Sequence, residues 1–171
     1  NEFINKIYLN LSAAIALLLI TFMINSSYKI KSNNNEICVT LGSLLHYSIL
    51  TSFCWMLIAA MLSFKKLVKV FNSGASHRLL KISLCGWLIP LVPVLLLLSI
   101  KPASYKRSHQ DPQQASLCYP SGEGFWLTVF SPILLIVITN IIFYCIIVYK
   151  IFIKLSIQRN FNSKINRRKI F

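Results

Sequence analysis

Four long blocks of apolar residues, separated by polar segments that hold most of the charge, constrain this chain more than any other feature. The blocks cover about residues 7–24, 37–64, 82–100 and 125–149. Because an α-helix rises about 1.5 Å per residue, blocks of this length can cross the roughly 30 Å hydrocarbon core of a bilayer. The sequence therefore predicts an all-α fold, a polytopic transmembrane helix bundle with four spans.

The composition excludes an ordinary soluble domain. Of the 171 residues, 56% are hydrophobic and only 13% are charged, whereas about 25% is typical of soluble domains. The net charge of +14 could suggest nucleic-acid binding, but the basic residues lie between apolar blocks, where they act as topology signals. We therefore expect membrane lipid as a partner and no nucleic acid.

The distribution of Lys and Arg predicts the orientation of the spans. Residues 25–36 and 101–124 together hold five, while the segments on the opposite side hold thirteen, mainly in 65–81 and 150–171. Because cytosolic loops of membrane proteins are enriched in Lys and Arg, 65–81 and the basic segment 150–171 are predicted to be cytosolic. Residues 25–36 and 101–124 are then predicted to be extracellular.

Cysteine positions give an independent test of this orientation. Cys54, Cys85 and Cys145 fall within the blocks, where a small buried hydrophobic side chain is the usual interpretation. Cys38 and Cys118 lie on the predicted extracellular side, where disulfides persist. We predict a disulfide between these two, with two unpaired thiols as the alternative. Asn25-Ser26-Ser27, on the same side, is a glycosylation sequon, but it abuts the membrane and we expect little occupancy.

Polar groups inside the second block predict that its helix has neighbours on several sides. Residues 46–61 read HYSILTSFCWMLIAAM, and their polar members do not share one narrow stripe of a helix. Polar side chains in a bilayer are costly unless they face protein or water. Four spans barely surround one of their number, so the pattern hints at further helices. The prolines inside the later blocks also favour a packed bundle.

Few residues of this sequence suggest a catalytic, metal-binding or cofactor-binding site. His46 has no second His or carboxylate at ligand spacing, so we expect an interhelical hydrogen bond there and no metal. There is no Gly-rich phosphate loop and no group of clustered carboxylates. We therefore expect neither an enzyme nor a bound cofactor.

Several motifs, in order, resemble a known family. The sequence LLHYSILTSFCWMLIAAMLSFKKLVKVF is similar to the third transmembrane helix and second intracellular loop of adhesion G-protein-coupled receptors, relatives of the secretin-like class. That family reads H-Y-x-x-L-x-x-F-x-W-M-L-x-E-G there. IYLNLS resembles the opening of helix two, GWLIP the G-W-G-x-P of helix four, LCYPSG the second extracellular loop and SPILLIVITNIIF helix five.

The resemblance implies that residues 1–171 are a partial seven-transmembrane domain, helices two to five of seven, in a multi-pass plasma-membrane protein. The cysteine of the second extracellular loop pairs in that family with the one that opens helix three. The positions in this chain that match the family's helix-packing motifs are Asn10, Pro90, Pro132 and Asn140.

The resemblance also implies a signalling receptor that relays an extracellular ligand or a tethered peptide agonist to a heterotrimeric G protein. The agonist pocket would draw on His46, Phe53, Trp55, Trp87, Phe125, Trp126 and Phe130. The cytosolic contact with the G protein would draw on Lys65, Lys66, Lys69, Val70, Phe71, Lys150 and Lys154.

Two departures from the family pattern concern a buried polar network near the cytosolic end. Tyr8 stands where the family usually has His, and Ala59 stands where it usually has Glu. Polar networks of this kind act as latches when every member is satisfied. We therefore predict a latch that is absent or rebuilt. Two other interpretations stay open: a self-contained four-span scaffold or transporter subunit, and a truncated receptor copy that does not signal.

Overall fold

The computed structural model describes residues 2–27, 35–68, 76–105 and 118–168. The elements are α1 (Glu2–Ser27), α2 (Asn35–Val68), α3 (Ser76–Leu88), α4 (Leu91–Ile100), a 3₁₀ turn (Pro102–Tyr105), α5 (Glu123–Phe125), a π turn (Trp126–Phe130) and α6 (Ser131–Arg168). The described part of the chain contains no strand. The all-α bundle predicted from the sequence is confirmed.

Four helical segments of the described residues are long and apolar enough to cross a membrane. They cover Ile4–Ser27, Glu36–Lys65, Leu80–Ile100 and Glu123–Arg159. The second helix packs against α1, α3, α4 and α6, so the helix with the polar stretch is the centre of the bundle. Many large apolar side chains on the outer faces of α1, α4 and α6 are exposed, as expected of a lipid-facing surface.

Proline divides the third span into two helices in tandem. The backbone N–H of Ile89 still bonds the carbonyl of Cys85 at 3.1 Å, but Pro90 has no N–H to continue the ladder. Pro90 lies buried in the turn between α3 and α4. Pro93 falls in the first turn of α4, where backbone N–H groups have no intrahelical partner, so its missing N–H breaks no bond.

The fourth span contains a widened turn just before a proline. The N–H of Ser131 bonds the carbonyl of Trp126, five residues back, instead of four as in an α-helix. Pro132 follows at once. A proline ring clashes with the carbonyl four residues earlier, which is that of Thr128, and a wider turn relieves this crowding.

Candidate functional site

The predicted disulfide is present and joins the start of α2 to the segment before α5. The sulfur atoms of Cys38 and Cys118 are bonded, and the two Cα atoms lie 5.2 Å apart. Both residues are buried. We call this end of the bundle the disulfide end, and the opposite end, which carries Lys65 and Lys150, the basic end.

Asn25, near the end of α1, holds the backbone of Cys118 through both atoms of its amide. Its Nδ2 donates to the Cys118 carbonyl at 2.8 Å, and the Cys118 N–H donates to Asn25 Oδ1 at 3.2 Å. The side chain has no exposed surface. The nitrogen that a glycan would need is thus buried and engaged, so the folded chain has no room for a sugar on this sequon.

Tyr105 closes the disulfide end from the 3₁₀ turn. Its side chain is fully buried and lies over Gly42, where a Cβ atom would come within 3.1 Å of the Tyr105 ring and 3.3 Å of the Cys118 backbone. Burial raises the pKa of the Tyr105 phenol above its usual value, so the hydroxyl stays protonated and available as a hydrogen-bond donor.

His46 connects this buried tyrosine to the fourth span. Its Nδ1 lies 2.8 Å from the Tyr105 hydroxyl and its Nε2 lies 3.1 Å from the Thr128 carbonyl. Because a carbonyl only accepts, we assign the proton of the neutral ring to Nε2, and the Tyr105 hydroxyl then donates to Nδ1. The buried histidine is a hydrogen-bonded link between the loop, α2 and the π turn.

Aromatic side chains gather beside this link at the start of the fourth span. Phe125 contacts Tyr119, Trp126 and Phe130, with ring centroids 5.7 to 6.5 Å apart, and Trp126 and Phe130 meet edge to face at 4.8 Å. Trp126 is 60% exposed. Three of the predicted pocket residues, Phe125, Trp126 and Phe130, therefore form one partly exposed cluster at the disulfide end.

Trp55 and Trp87, also predicted for the pocket, lie deeper in the bundle. Trp55 lies nine positions after His46 on α2, which is about 13 Å along the helix. The two indoles meet edge to face at 6.1 Å, and Trp87 Nε1 donates to Asn10 Oδ1 at 3.1 Å. The structure thus groups these two with Asn10 of α1 and does not bring them to the aromatic cluster.

A close helix approach accompanies this tryptophan pair. A Cβ atom on Gly86 would lie 2.8 Å from Cε2 of the Trp55 ring, so only glycine lets the ring approach α3 this closely. Phe53, the remaining pocket residue, is half-buried on α2.

The hydroxyl groups of the polar stretch join α2 to α1. Ser48 and Thr21 hydroxyls lie 2.9 Å apart, and Ser52 Oγ is within 3.1 Å of the Ala14 carbonyl and 2.9 Å of the Ser48 carbonyl. All of these side chains are buried. Small hydroxyl residues at such positions let two helices approach and bond within a membrane.

Three buried polar atoms have no hydrogen-bond partner among the residues that the structure describes. They are Thr51 Oγ1, Trp55 Nε1 and Asn140 Oδ1. Pro132 and Asn140, predicted to support helix packing, both lie on α6 and are half-buried.

The basic end is more open. Tyr8 of α1 is 48% exposed, and its hydroxyl lies 3.4 Å from that of Ser63 on α2. Ser63 in turn donates to the Ala59 carbonyl at 2.9 Å. Ser63 therefore links the Tyr8 hydroxyl to the Ala59 backbone carbonyl through one long and one ordinary hydrogen bond. Phe64 packs against Phe143 of α6 nearby, at 5.5 Å between ring centroids.

Of the residues predicted to contact a G protein, Lys65, Lys150 and Lys154 are exposed at this end. The side chain of Lys66 and all of Lys69, Val70 and Phe71 lie outside the described residues. Within the described ranges, no group of His, Cys, Asp and Glu has the arrangement of a metal site.

Sequence reasoning missed three residues that build the disulfide end: Asn25, Tyr105 and Thr128. The sequence presents Asn25 only as part of a sequon, and it presents Tyr105 only as a member of the predicted extracellular segment 101–124. A signal for Thr128 was present, because it lies four residues before Pro132 and its carbonyl therefore lacks the usual helical N–H donor. Which side chain replaces that donor depends on packing.

Comparisons with known proteins agree with this architecture. Residues 2–170 match the family model described as 7 transmembrane receptor (Secretin family). Human adhesion G-protein coupled receptor G4 is 31% identical over 156 residues, covering 90% of this chain and 5% of that protein. Mouse adhesion G-protein coupled receptor G5 is 35% identical over 100 residues, covering 58% of this chain and 19% of that protein.

A third relative, human adhesion G-protein coupled receptor G2, is 36% identical over 107 residues, covering 61% of this chain and 10% of that protein. The chain thus spans between 5% and 19% of the length of these three relatives.

Proposed function

Since the chain belongs to the secretin family of seven-transmembrane receptors and to a multi-pass protein of the plasma membrane, we propose that it relays an extracellular signal to a heterotrimeric G protein. The observation that carries this proposal is the family match, which extends over residues 2–170. The relatives at 31% to 36% identity are named adhesion G-protein coupled receptors. A receptor of that kind transmits a signal and needs no catalytic group, so we propose no enzymatic activity.

In the proposed orientation the disulfide end faces the outside of the cell. A disulfide is stable in an oxidising compartment, and thirteen of the eighteen Lys and Arg residues lie on the other side, which the positive-inside rule assigns to the cytosol.

We propose that the agonist, either a tethered peptide or another extracellular ligand, binds at the aromatic cluster of Phe125, Trp126 and Phe130. Exposed aromatic side chains beside buried hydrogen-bonding groups suit a peptide with a large apolar side chain. His46 lies one contact away, through Thr128. Trp55 and Trp87 are tightly packed and deeper, so we assign them to helix packing within this proposal.

The G-protein contact is proposed at the basic end. Lys65, Lys150 and Lys154 are exposed there, on two helices that meet at Phe64 and Phe143. Lys66, Lys69, Val70 and Phe71 stay part of the proposed contact on sequence grounds alone.

The test is G-protein activation by the full-length protein that carries this chain, expressed in cells and measured by nucleotide exchange at equal surface expression. We expect agonist-stimulated or constitutive exchange above that of untransfected cells. The double variant Lys65→Ala, Lys154→Ala should lose exchange by about tenfold, the effect of about 1.4 kcal/mol of lost contact.

The matched control is Lys101→Ala, which removes one exposed lysine at the disulfide end and should leave exchange unchanged. A full-length protein that reaches the surface and activates no G-protein subtype, with or without agonist, would overturn the proposed function.

A further inference from the structure

The fourth span contains a point where a proline removes one of the α-helical backbone hydrogen bonds. In a regular α-helix the carbonyl of Thr128 would accept from the N–H of residue 132. That residue is Pro132, which has no N–H. Prolines inside helices are common sites of bending, and the π turn Trp126–Phe130 already widens the helix here.

A side chain from another helix supplies the missing donor. His46 Nε2 lies 3.1 Å from the Thr128 carbonyl, in a site where both His46 and Thr128 are buried. The hydroxyl of Thr128 is not the donor to this carbonyl, because it donates to the Gly124 carbonyl at 2.7 Å. We propose that His46 is a positioning residue that pins a proline hinge in the fourth span, by giving Thr128 the hydrogen bond that Pro132 cannot give.

The hydrogen bond between His46 and the Thr128 carbonyl is connected to the disulfide end through Tyr105. The Tyr105 hydroxyl holds the other nitrogen of the ring, at 2.8 Å, and so fixes the ring with Nε2 towards the π turn. Tyr105 itself lies within the region fixed by the disulfide, where the Cys38 sulfur is 3.5 Å from its carbonyl. The angle of the hinge therefore depends on a loop at the face where we propose the ligand binds.

The consequence is mechanical. About 26 residues separate Thr128 from Lys154, roughly 39 Å of helix, so a bend of about 10° at the hinge moves the basic end by about 7 Å. This inference rests on the proposed function only for what the movement accomplishes. The hinge itself can be measured without any G protein.

The experiment is a distance measurement between two spin labels in the full-length protein reconstituted in lipid. Lys65→Cys and Lys154→Cys place the labels on exposed residues of α2 and α6, with Cys54, Cys85 and Cys145 replaced by serine. A second pair, Lys6→Cys and Lys65→Cys, joins α1 to α2 without crossing the hinge and reports whether the bundle stays folded.

We expect His46→Ala to lengthen or broaden the distance distribution of the α2–α6 pair and to leave the α1–α2 pair unchanged. The ratio of displaced to undisplaced molecules should rise about tenfold, the factor expected for about 1.4 kcal/mol, one buried hydrogen bond. His46→Gln, whose amide can still donate, should restore most of the original distribution. Tyr47→Phe removes a neighbouring hydroxyl that bonds the Trp87 carbonyl on α3 and should have no effect.

Pro132→Ala gives the decisive comparison, because it supplies the backbone N–H that the hinge lacks. In that background the effect of His46→Ala should largely disappear, and Pro132→Ala alone should narrow the α2–α6 distribution. The measurement on Pro132→Ala alone tests the proposal even if His46→Ala fails to fold.

An unchanged α2–α6 distance in folded His46→Ala would overturn the proposal. So would an effect of the same size with and without Pro132, because His46 would then act only as a packing residue. Either result leaves the proposed receptor function standing, and a failure of G-protein activation leaves the hinge standing.

Discussion

At the disulfide end, buried side chains bond buried partners across several elements, whereas at the basic end the helices meet through exposed or long contacts. Asn25 and His46 each use two polar atoms on partners that lie far apart in the chain. Tyr8 and Ser63 share a single contact of 3.4 Å on a half-exposed side chain. A buried hydrogen bond is costly to lose and an exposed one is not, so the two ends differ in rigidity.

Within the proposed function, this difference indicates that the ligand would bind at the disulfide end and that the helices would move at the basic end. A rigid end presents a defined surface to a ligand, and a weakly connected end can open at a small cost in free energy. The following predictions concern substitutions at one end at a time and compare the resulting losses of stability.

Removing the disulfide should have the largest effect. Cys38→Ser frees a loop closed over a sequence separation of 80 residues, and opening a loop of that size costs about 4.5 kcal/mol of stability in the chain-entropy model. We expect a marked fall in thermal stability in detergent and in surface expression. The control is Cys145→Ser, which removes a free, exposed thiol. Equal losses of thermal stability in Cys38→Ser and Cys145→Ser would contradict the stabilising role of the Cys38–Cys118 disulfide.

Removing the side-chain amide of Asn25 should have the second-largest effect on stability. Asn25→Ala leaves the N–H and the carbonyl of buried Cys118 without their partner, at a cost of about 2 to 4 kcal/mol. Thermal unfolding followed by accessibility of the free cysteines would measure the loss. Asn25→Asp keeps the acceptor for the Cys118 N–H but turns a carboxylate oxygen towards the Cys118 carbonyl in a fully buried site, so its stability should be no higher than that of Asn25→Ala. Stability equal to that of the wild type in Asn25→Ala would show that the clamp does not form.

Changes at the basic end should affect stability least. Ser63→Ala removes the partner of Tyr8 and should cost less than about 0.5 kcal/mol, as exposed substitutions usually do. Its thermal midpoint, measured beside that of Asn25→Ala, tests the comparison directly. A loss as large as that of the asparagine variant would mean that the two ends are equally constrained.

The same site allows a functional test of the altered latch. Restoring the family's residues with Tyr8→His and Ala59→Glu in the full-length protein should lower basal G-protein activation, because a satisfied polar network stabilises one arrangement of the helices. Surface expression of the double variant serves as the control. Basal activation that stays the same would rule out a latch at these positions.

Much of this architecture follows from the sequence because membrane insertion imposes strict rules. Apolar blocks about as long as a bilayer is thick must form helices, since lipid offers no partner for backbone polar groups. The number of spans, the distribution of basic residues and the two cysteines at one face were therefore readable from the chain alone. So was the position of a weak point in the fourth span, because Pro132 lacks an N–H wherever the helix packs.

Only the tertiary structure decided which side chains satisfy the groups that the sequence leaves open. It paired Asn25 with Cys118 across a sequence separation of 93 and His46 with Thr128 across 82, and it separated Trp55 and Trp87 from the aromatic cluster. Such pairings depend on how the helices rotate and tilt against one another, which packing sets and the composition of a single span does not.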